Sequence, residues 1–494
     1  MELPWTIGRR GATQVIVKRF YDETLAQASY LLGCGRAREA IVIDPNRDIE
    51  QYLLGAEAEG LRITHVTETH IHADFASGAR ELAARTGATL HLSDEGDADW
   101  KYGYASEVGA APLRDGESIR VGEVMVEALH TPGHTPEHLS FLITDGAAAD
   151  QPIGIVTGDF VFVGDVGRPD LLEKAVKLEG TMERSARTLY GSLQRFRRHP
   201  EWLQIWPGHG AGSACGKGLS AVPHSTVGYE LRFNWAFNVR NEEEFVELVL
   251  AGQPEPPPYF AIMKRLNRDG AGIPDLRHPP RVPAAALDAL LSGGGLLLDI
   301  RPAPEYASSH LRGSINIPLG RSFIGWAGWI LPYDRDIHLV SDERCGSCVE
   351  DARRALSLIG LDRVAGVLGV ADVARWGREN GALGDISSVG PRDLAEQLER
   401  EDIVLVDVRS ASEWDAGHVP GATHVPLGHV SQWLGDQRRD ARIVVHCQTG
   451  ARSAIAASLF DAEGFSDVRE LAGGFAGWRT AGLPVASTRD PSLR

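Results

Sequence analysis

Cysteine is scarce in this chain: five in 494 residues, Cys34, Cys215, Cys345, Cys348 and Cys447. A sparse, odd set excludes a disulfide framework and fits a reducing cytoplasm with some thiols kept for chemistry. Long apolar runs are missing too. None could span a bilayer, and the opening MELPWTIGRRGATQVIVKRF lacks the apolar core of a secretory signal. Basic residues are outnumbered, 50 Lys and Arg against 67 Asp and Glu. The formal net charge of -17 argues against nucleic acid or an anionic membrane as the main partner. What is present is an ordinary globular composition, 43% hydrophobic and 24% charged, over a length that suggests about three domains.

The first half alternates short apolar runs with turn signals: EAIVIDP, ITHVTETHIHAD, VMVEALHTPGHT, IGIVTGD, LQIWPGHG. Helical stretches such as FASGARELAARTG and MERSARTLYGSLQRF lie between them, which predicts α/β layers. Proline-rich breakers at 253–258 and 277–283 bracket a segment, 256–282, expected to be a linker or docking arm. An internal repeat follows. LLLDIRPAPEYASSHLRGSINIPLG matches VLVDVRSASEWDAGHVPGATHVPLG in constant register, Asp299 with Asp407 and His310 with His418. Two copies of one α/β domain are expected, at 283–384 and 388–490, behind a first domain at 1–255.

THIHADFASG, residues 69–78, sets His70, His72 and Asp74 after an apolar run, a metal-ligand pattern. His134 of HTPGHTPEH, Asp159 of TGDF and His209 of WPGHG complete an ordered set, each where an apolar run ends, with Asp44 closing an earlier one. The set resembles the metallo-β-lactamase superfamily over about residues 13–250, which implies an αββα sandwich with the metal at one edge. Dinuclear hydrolases of that superfamily place a histidine after the motif's aspartate to hold a second metal. Here the position is Phe75, which ligates nothing, and one easy route to a bridging hydroxide goes with it. His70, His134 and Asp159 remain: two imidazoles and a carboxylate, the donor set of non-haem Fe(II) oxygen chemistry.

These three residues, together with Gly167, Arg168 and Asp170 of GDVGRPDLL, resemble the persulfide dioxygenase branch. That resemblance implies one Fe(II), with His72, Asp74 and His209 lining the pocket or orienting the ligands rather than binding the metal. Arg168 is a candidate to meet an anionic group on the substrate. Cys215, close to His209 in sequence, is a candidate sulfur-handling thiol, because an electropositive site activates thiols. Cys34 is a weaker candidate.

RIVVHCQTGARSAIAASLF places Cys447 between an apolar strand and a helix, in a loop whose N–H groups turn back on the sulfur. Arg452 and the helix N-terminus are expected to favour the thiolate, the nucleophile. With Asp407, Arg409 and the trailing LAGGFAGW, this is similar to the rhodanese family, which implies a Cys447 persulfide. In the first copy Asp342 aligns with Cys447 and Ser347 with Arg452, so that copy reads as degenerate. Its Cys345 and Cys348 form a C-x-x-C that can be redox-active or bind zinc. No second pair supplies further zinc ligands, and a structural role is the plain reading.

Both sites concern sulfane sulfur. The reading is a cytoplasmic enzyme, expected to be a homo-oligomer, that oxidises a low-molecular-weight thiol persulfide with O2 to sulfite and links this to thiosulfate by sulfur transfer. The alternatives are a zinc thioester hydrolase of the glyoxalase II kind, or a sulfur relay or sensor with an inactive metal domain.

Overall fold

Strands β1 (Val15–Asp22), β2 (Gln27–Cys34), β3 (Glu39–Ile43), β4 (Arg62–Thr67), β5 (Thr89–Ser93) and β6 (Ala111–Leu113) form one sheet in that order. The computed structural model describes residues 15–171, 180–275, 277–400 and 402–487. The outer ends of the first and last expected domains and Leu276 of the expected arm lie outside the described residues. A second sheet runs β12 (Ser225–Thr226), β11 (Gln204–Pro207), β10 (Gly154–Gly158), β9 (Leu139–Asp145), β8 (Val124–His130), β7 (Ser118–Val121).

Side chains alternate across each strand. Leu32, Ile41, Ile43, Phe141 and Val156 meet between the sheets, while Leu31 and Val42 face Tyr52 and Leu82 on helices Glu50–Ala58 and Ala79–Thr86. On the far side, Leu142 and Ile155 pack with Leu189, Leu193 and Phe245 of helices Thr181–Phe196 and Glu242–Leu250. Strands buried on both faces need continuous apolar sequence, which is why EAIVIDP does not alternate. The result is the expected αββα sandwich.

The chain divides into two units, Met1–Pro274 with Ser357–Gly360, and Asp275–Leu356 with Leu361–Arg494. The expected arm is therefore split: its helix, Tyr259–Asp269, belongs to the first unit. Tyr259 Oη donates to Asp74 O at 3.1 Å, and Asn267 Nδ2 donates to His72 O at 2.8 Å and Phe75 O at 2.7 Å. The helix thus clamps the loop that carries the histidines.

In the second unit, β13 (Leu296–Asp299) lies between β15 (Ser314–Asn316) and β16 (Ile337–Ser341), with β17 (Val364–Gly369) beyond β16. A short antiparallel pair, β14 (His310–Leu311) with β18 (Leu383–Gly384), closes this copy. The second copy has β19 (Ser387–Val389), β23 (Asp467–Leu471), β22 (Arg442–His446), β20 (Ile403–Asp407) and β21 (Thr423–His424) in that spatial order. Both sheets are parallel. Helix Ala451–Ala462 is buried from Ser453 to Asp461, its polar Ser453, Ser458 and Asp461 included. It packs between its own sheet and the neighbouring copy, where Asn316 N–H donates to Ser458 Oγ at 2.9 Å and His310 Nε2 lies 3.2 Å from Asp461. Among the described residues, no helix is long and apolar enough to cross a membrane.

Candidate functional site

His70, His134, Asp159 and His209 all follow the C-terminal ends of strands, respectively β4, β8, β10 and β11. The turn after β10 needs Gly158, whose φ is +48° and whose added Cβ would fall 2.5 Å from Thr69 Oγ1. Ligand atoms of His70, His134 and Asp159 lie within 4.8 Å of one another, and all three residues are buried. His134 Nε2 is 3.6 Å from Asp159 Oδ2.

Hydrogen bonds set the tautomers. Thr69 Oγ1 donates to Asp44 Oδ2 at 2.9 Å, so at 2.9 Å from His70 Nδ1 it receives that ring's proton. His134 Nδ1 donates to Arg168 O at 3.0 Å, and His209 Nδ1 to Ala26 O at 3.0 Å. In His70 and His134 this leaves the lone pair on Nε2. Burial, then the neighbouring rings, hold His70 well below its ordinary pKa; burial also lowers His134. Both are the neutral imidazoles a metal requires. Burial opposes the charge of Asp159, but His209, 3.4 Å from its Oδ1, outweighs burial and keeps the carboxyl below its ordinary value. Among the described residues neither of its oxygens has a hydrogen-bond partner, although the residue is 1% exposed. A buried carboxylate with both oxygens unspent between two free imidazole lone pairs fits a metal ion.

His72 is not part of this set. Its Nε2 donates to Asp44 Oδ1 at 3.1 Å, and its ring packs on Phe75 with centroids 4.3 Å apart. Burial opposes its charge, but Asp44, Glu68 and Asp74 outweigh it and raise its pKa to about 9. Phe75 therefore does more than remove a ligand: it seals His72 against Asp44. Asp74, His209 and Cys215 form a second buried group, with Asp74 Oδ2 3.2 Å from His209 Nε2.

The expected role of Arg168 toward an anion is overturned. Its buried guanidinium is bidentate on Asp170, both contacts 2.8 Å, and donates to the carbonyls of Ala214 and Pro254, so it braces the loop whose carbonyl holds His134. Cys215 is buried beside Asp74 and His209, and burial, then Asp74 and Asp159, push its thiol well above the ordinary value. Cys34 sits in the core between the sheets, near Gly122 and accepting from Glu123 N–H, and is not brought to the metal ligands. Sequence reasoning missed His138, whose Nε2 accepts from Asp159 N–H at 3.1 Å and whose Nδ1 bonds Thr131 Oγ1. It also missed Thr69.

Cys447 follows β22, 1% exposed, with Gly450 N–H donating to its sulfur at 3.2 Å and the thiol donating to Ser453 Oγ at 3.8 Å. Arg452 is held bidentately by Glu413, at 2.7 and 2.8 Å. Glu413 was also missed. Its only sequence signal is the S-x-x-E capping box that it completes with Ser410. Asp407 and Arg409, expected as catalytic, are buried and paired with each other at 2.6 Å. Arg409 also contacts Gly417 O and Gln448 Oε1, so the pair positions the loop and is not aimed at the sulfur. Asp299 and Arg301 repeat this brace in the first copy. There Asp342 follows β16 as Cys447 follows β22, and it is engaged by Arg344.

Residues 23–209 match the metallo-beta-lactamase superfamily, and residues 283–369 and 390–481 each match the rhodanese-like domain. A crystal structure titled metallo-beta-lactamase from Staphylococcus aureus subsp. aureus COL is 44% identical, with a TM-score of 0.66 over 72% of this chain and 99% of that one. The chain belongs to the metallo-beta-lactamase superfamily, in the form with two rhodanese-like domains behind the metal domain. Persulfide dioxygenase ETHE1 of Bos taurus is 28% identical over 40% of this chain and 68% of its own length. A hydroxyacylglutathione hydrolase of Rhodospirillum rubrum is 29% identical over 36% of this chain and 60% of its own. Thiosulfate sulfurtransferase GlpE of Pseudomonas fluorescens is 38% identical over 18% of this chain and 83% of its own.

Proposed function

We propose that the first unit oxidises a low-molecular-weight thiol persulfide with O2, and that the last domain transfers sulfane sulfur through Cys447. The observation that carries this is the donor set of His70, His134 and Asp159, two neutral imidazoles and an unspent carboxylate, with Phe75 where a second-metal histidine would stand. An Fe(II) held by these residues would supply oxygen activation and a seat for sulfur. Thr69, Asp44 and the carbonyl of Arg168 keep the two Nε2 lone pairs aimed inward, while His138 orients Asp159 through its amide. The balance is R–S–SH + O2 + H2O giving R–SH, sulfite and two protons.

At the second site, Cys447 attacks the outer sulfur of a persulfide. The S–S bond breaks, the thiol leaves with the proton, and Gly450 N–H, which donates to Cys447 Sγ, holds the inner sulfur of the new persulfide. Sulfite attacks that sulfur, forming thiosulfate and returning the Cys447 thiolate. A shared chain keeps the two sites at high effective concentration.

The test is to load the protein anaerobically with Fe(II) and add glutathione persulfide, following oxygen, sulfite and thiosulfate. Rapid uptake abolished by His134→Ala, with thiosulfate reverting to sulfite in Cys447→Ser, is the expected result. No uptake at full iron content defeats the reading. The zinc thioester hydrolase reading is favoured by one feature, the Asp74, His209 and Cys215 group beside the triad. Two zinc ions per chain and cleavage of a glutathione thioester would establish it instead.

A further inference from the structure

The first rhodanese-like copy lacks the sulfur nucleophile of its sibling, yet the same loop carries Cys345 and Cys348, joined as a disulfide with Cα atoms 5.6 Å apart. Cys345 is exposed and Cys348 half-buried, whereas Cys447 is sealed at 1% exposure. Both cysteines line a pocket of about 450 Å³ whose wall also includes Arg301, Glu305, Leu319 and Arg344. The loop joins β16 to helix Cys348–Leu358, which leads to β17, parallel to β16. A C-x-x-C closing onto the start of a helix in a βαβ unit is the arrangement in which a dithiol and its disulfide interconvert.

Two things set this pair apart from a structural crosslink. It spans a separation of only three residues, so it constrains little chain in the unfolded state. It also faces a pocket with room for a small molecule, where a structural bond would be covered. Of the charged groups on that wall Arg301 is taken up by Asp299, but the Arg344 side chain, although paired with Asp342, is 85% exposed, and Glu305 is exposed too. Charges of both signs at the rim suit a zwitterionic thiol better than a bare sulfur oxyanion.

We infer that Cys345 and Cys348 form a redox site at which a zwitterionic low-molecular-weight thiol exchanges with the protein disulfide. The thiolate of one small molecule attacks one cysteine sulfur. The Cys345–Cys348 bond breaks, and its electron pair leaves as the thiolate of the other cysteine. A second small thiolate attacks the mixed disulfide and departs as the symmetrical small disulfide. Two small thiols are oxidised, their protons pass to the two cysteines, and the protein bond is reduced by two electrons. The degenerate copy then reads the thiol–disulfide balance where its sibling moves sulfur.

The experiment equilibrates the full chain in glutathione buffers from fully reduced to fully oxidised, quenches with an alkylating agent, and reads residues 345 and 348 by peptide mass spectrometry. The expected result is reversible conversion at one glutathione ratio in folded protein, with a glutathione adduct on the remaining cysteine of Cys345→Ser or Cys348→Ser. A pair that stays oxidised until the chain unfolds, never closes in oxidised glutathione, or forms no adduct in either variant overturns the inference. The titration requires neither iron nor persulfide, so its outcome is independent of the function proposed above.

Discussion

Thr69 shows how much of the metal centre rests on one hydroxyl. It carries a hydrogen bond from His70 to Asp44 and so decides which nitrogen of His70 is free. Thr69→Val leaves that ring without its acceptor, and about 10- to 100-fold weaker Fe(II) binding is expected by competition with a chelator. Thr69→Ser should restore the affinity, which a loss of packing alone would not allow. At the other site, Arg452, then burial and Ser410, act on Glu413, and the net result is a carboxyl lowered from 4.5 to about 2. A depressed carboxyl stabilises the folded chain above its unfolded value, and that contribution disappears as pH falls toward the folded one. The advantage of the native chain over Glu413→Gln in thermal unfolding should therefore be full at neutral pH, shrink below about pH 4.5 and vanish near pH 2. An advantage that persists unchanged at low pH would mean that Arg452 is not held by a charged Glu413.

At the scale of elements, helix Tyr259–Asp269 matters because Asn267 is 2% exposed and spends its amide on three backbone groups of the metal loop. Asn267→Ala strands those groups, at a cost of about 1–3 kcal/mol, and should lower both the unfolding midpoint of the first unit and its iron content. Unchanged values for both would show that the clamp is dispensable. This helix also marks where sequence stops being readable. Strand ends were legible because metal ligands follow apolar runs, and the repeat was legible because Asp299 and Asp407 recur with the same neighbours. The bonds from Asn267 to His72 and Phe75 span more than 190 positions and leave no local pattern. His138 and Thr69 were hidden because the groups they orient or lean on, Asp159 and Asp44, sit at the ends of other strands. Arg168 was misjudged because one sequence gives no sign that an arginine is 0% exposed and paired with Asp170.

At the scale of the whole molecule, the degenerate copy has a structural task that its missing cysteine does not affect. Helix Ala451–Ala462 begins four residues after Cys447 and is buried on all sides, one of them by the neighbouring copy through Asn316. The Cys447 loop is therefore anchored to a helix that its own domain covers only in part. Ser458→Arg forces a charge and a larger side chain into that seam, where an unpaired buried charge costs several kcal/mol. The expected outcome is a lower unfolding transition for the second unit and a loss of thiosulfate:cyanide sulfurtransferase activity of tenfold or more. Iron content and persulfide-dependent oxygen uptake should stay at native levels, because Ser458 lies in the second unit and the metal ligands in the first. Loss of oxygen uptake in step with sulfurtransferase activity would show instead that the two units work as one, and the separate roles assigned to them would have to be abandoned.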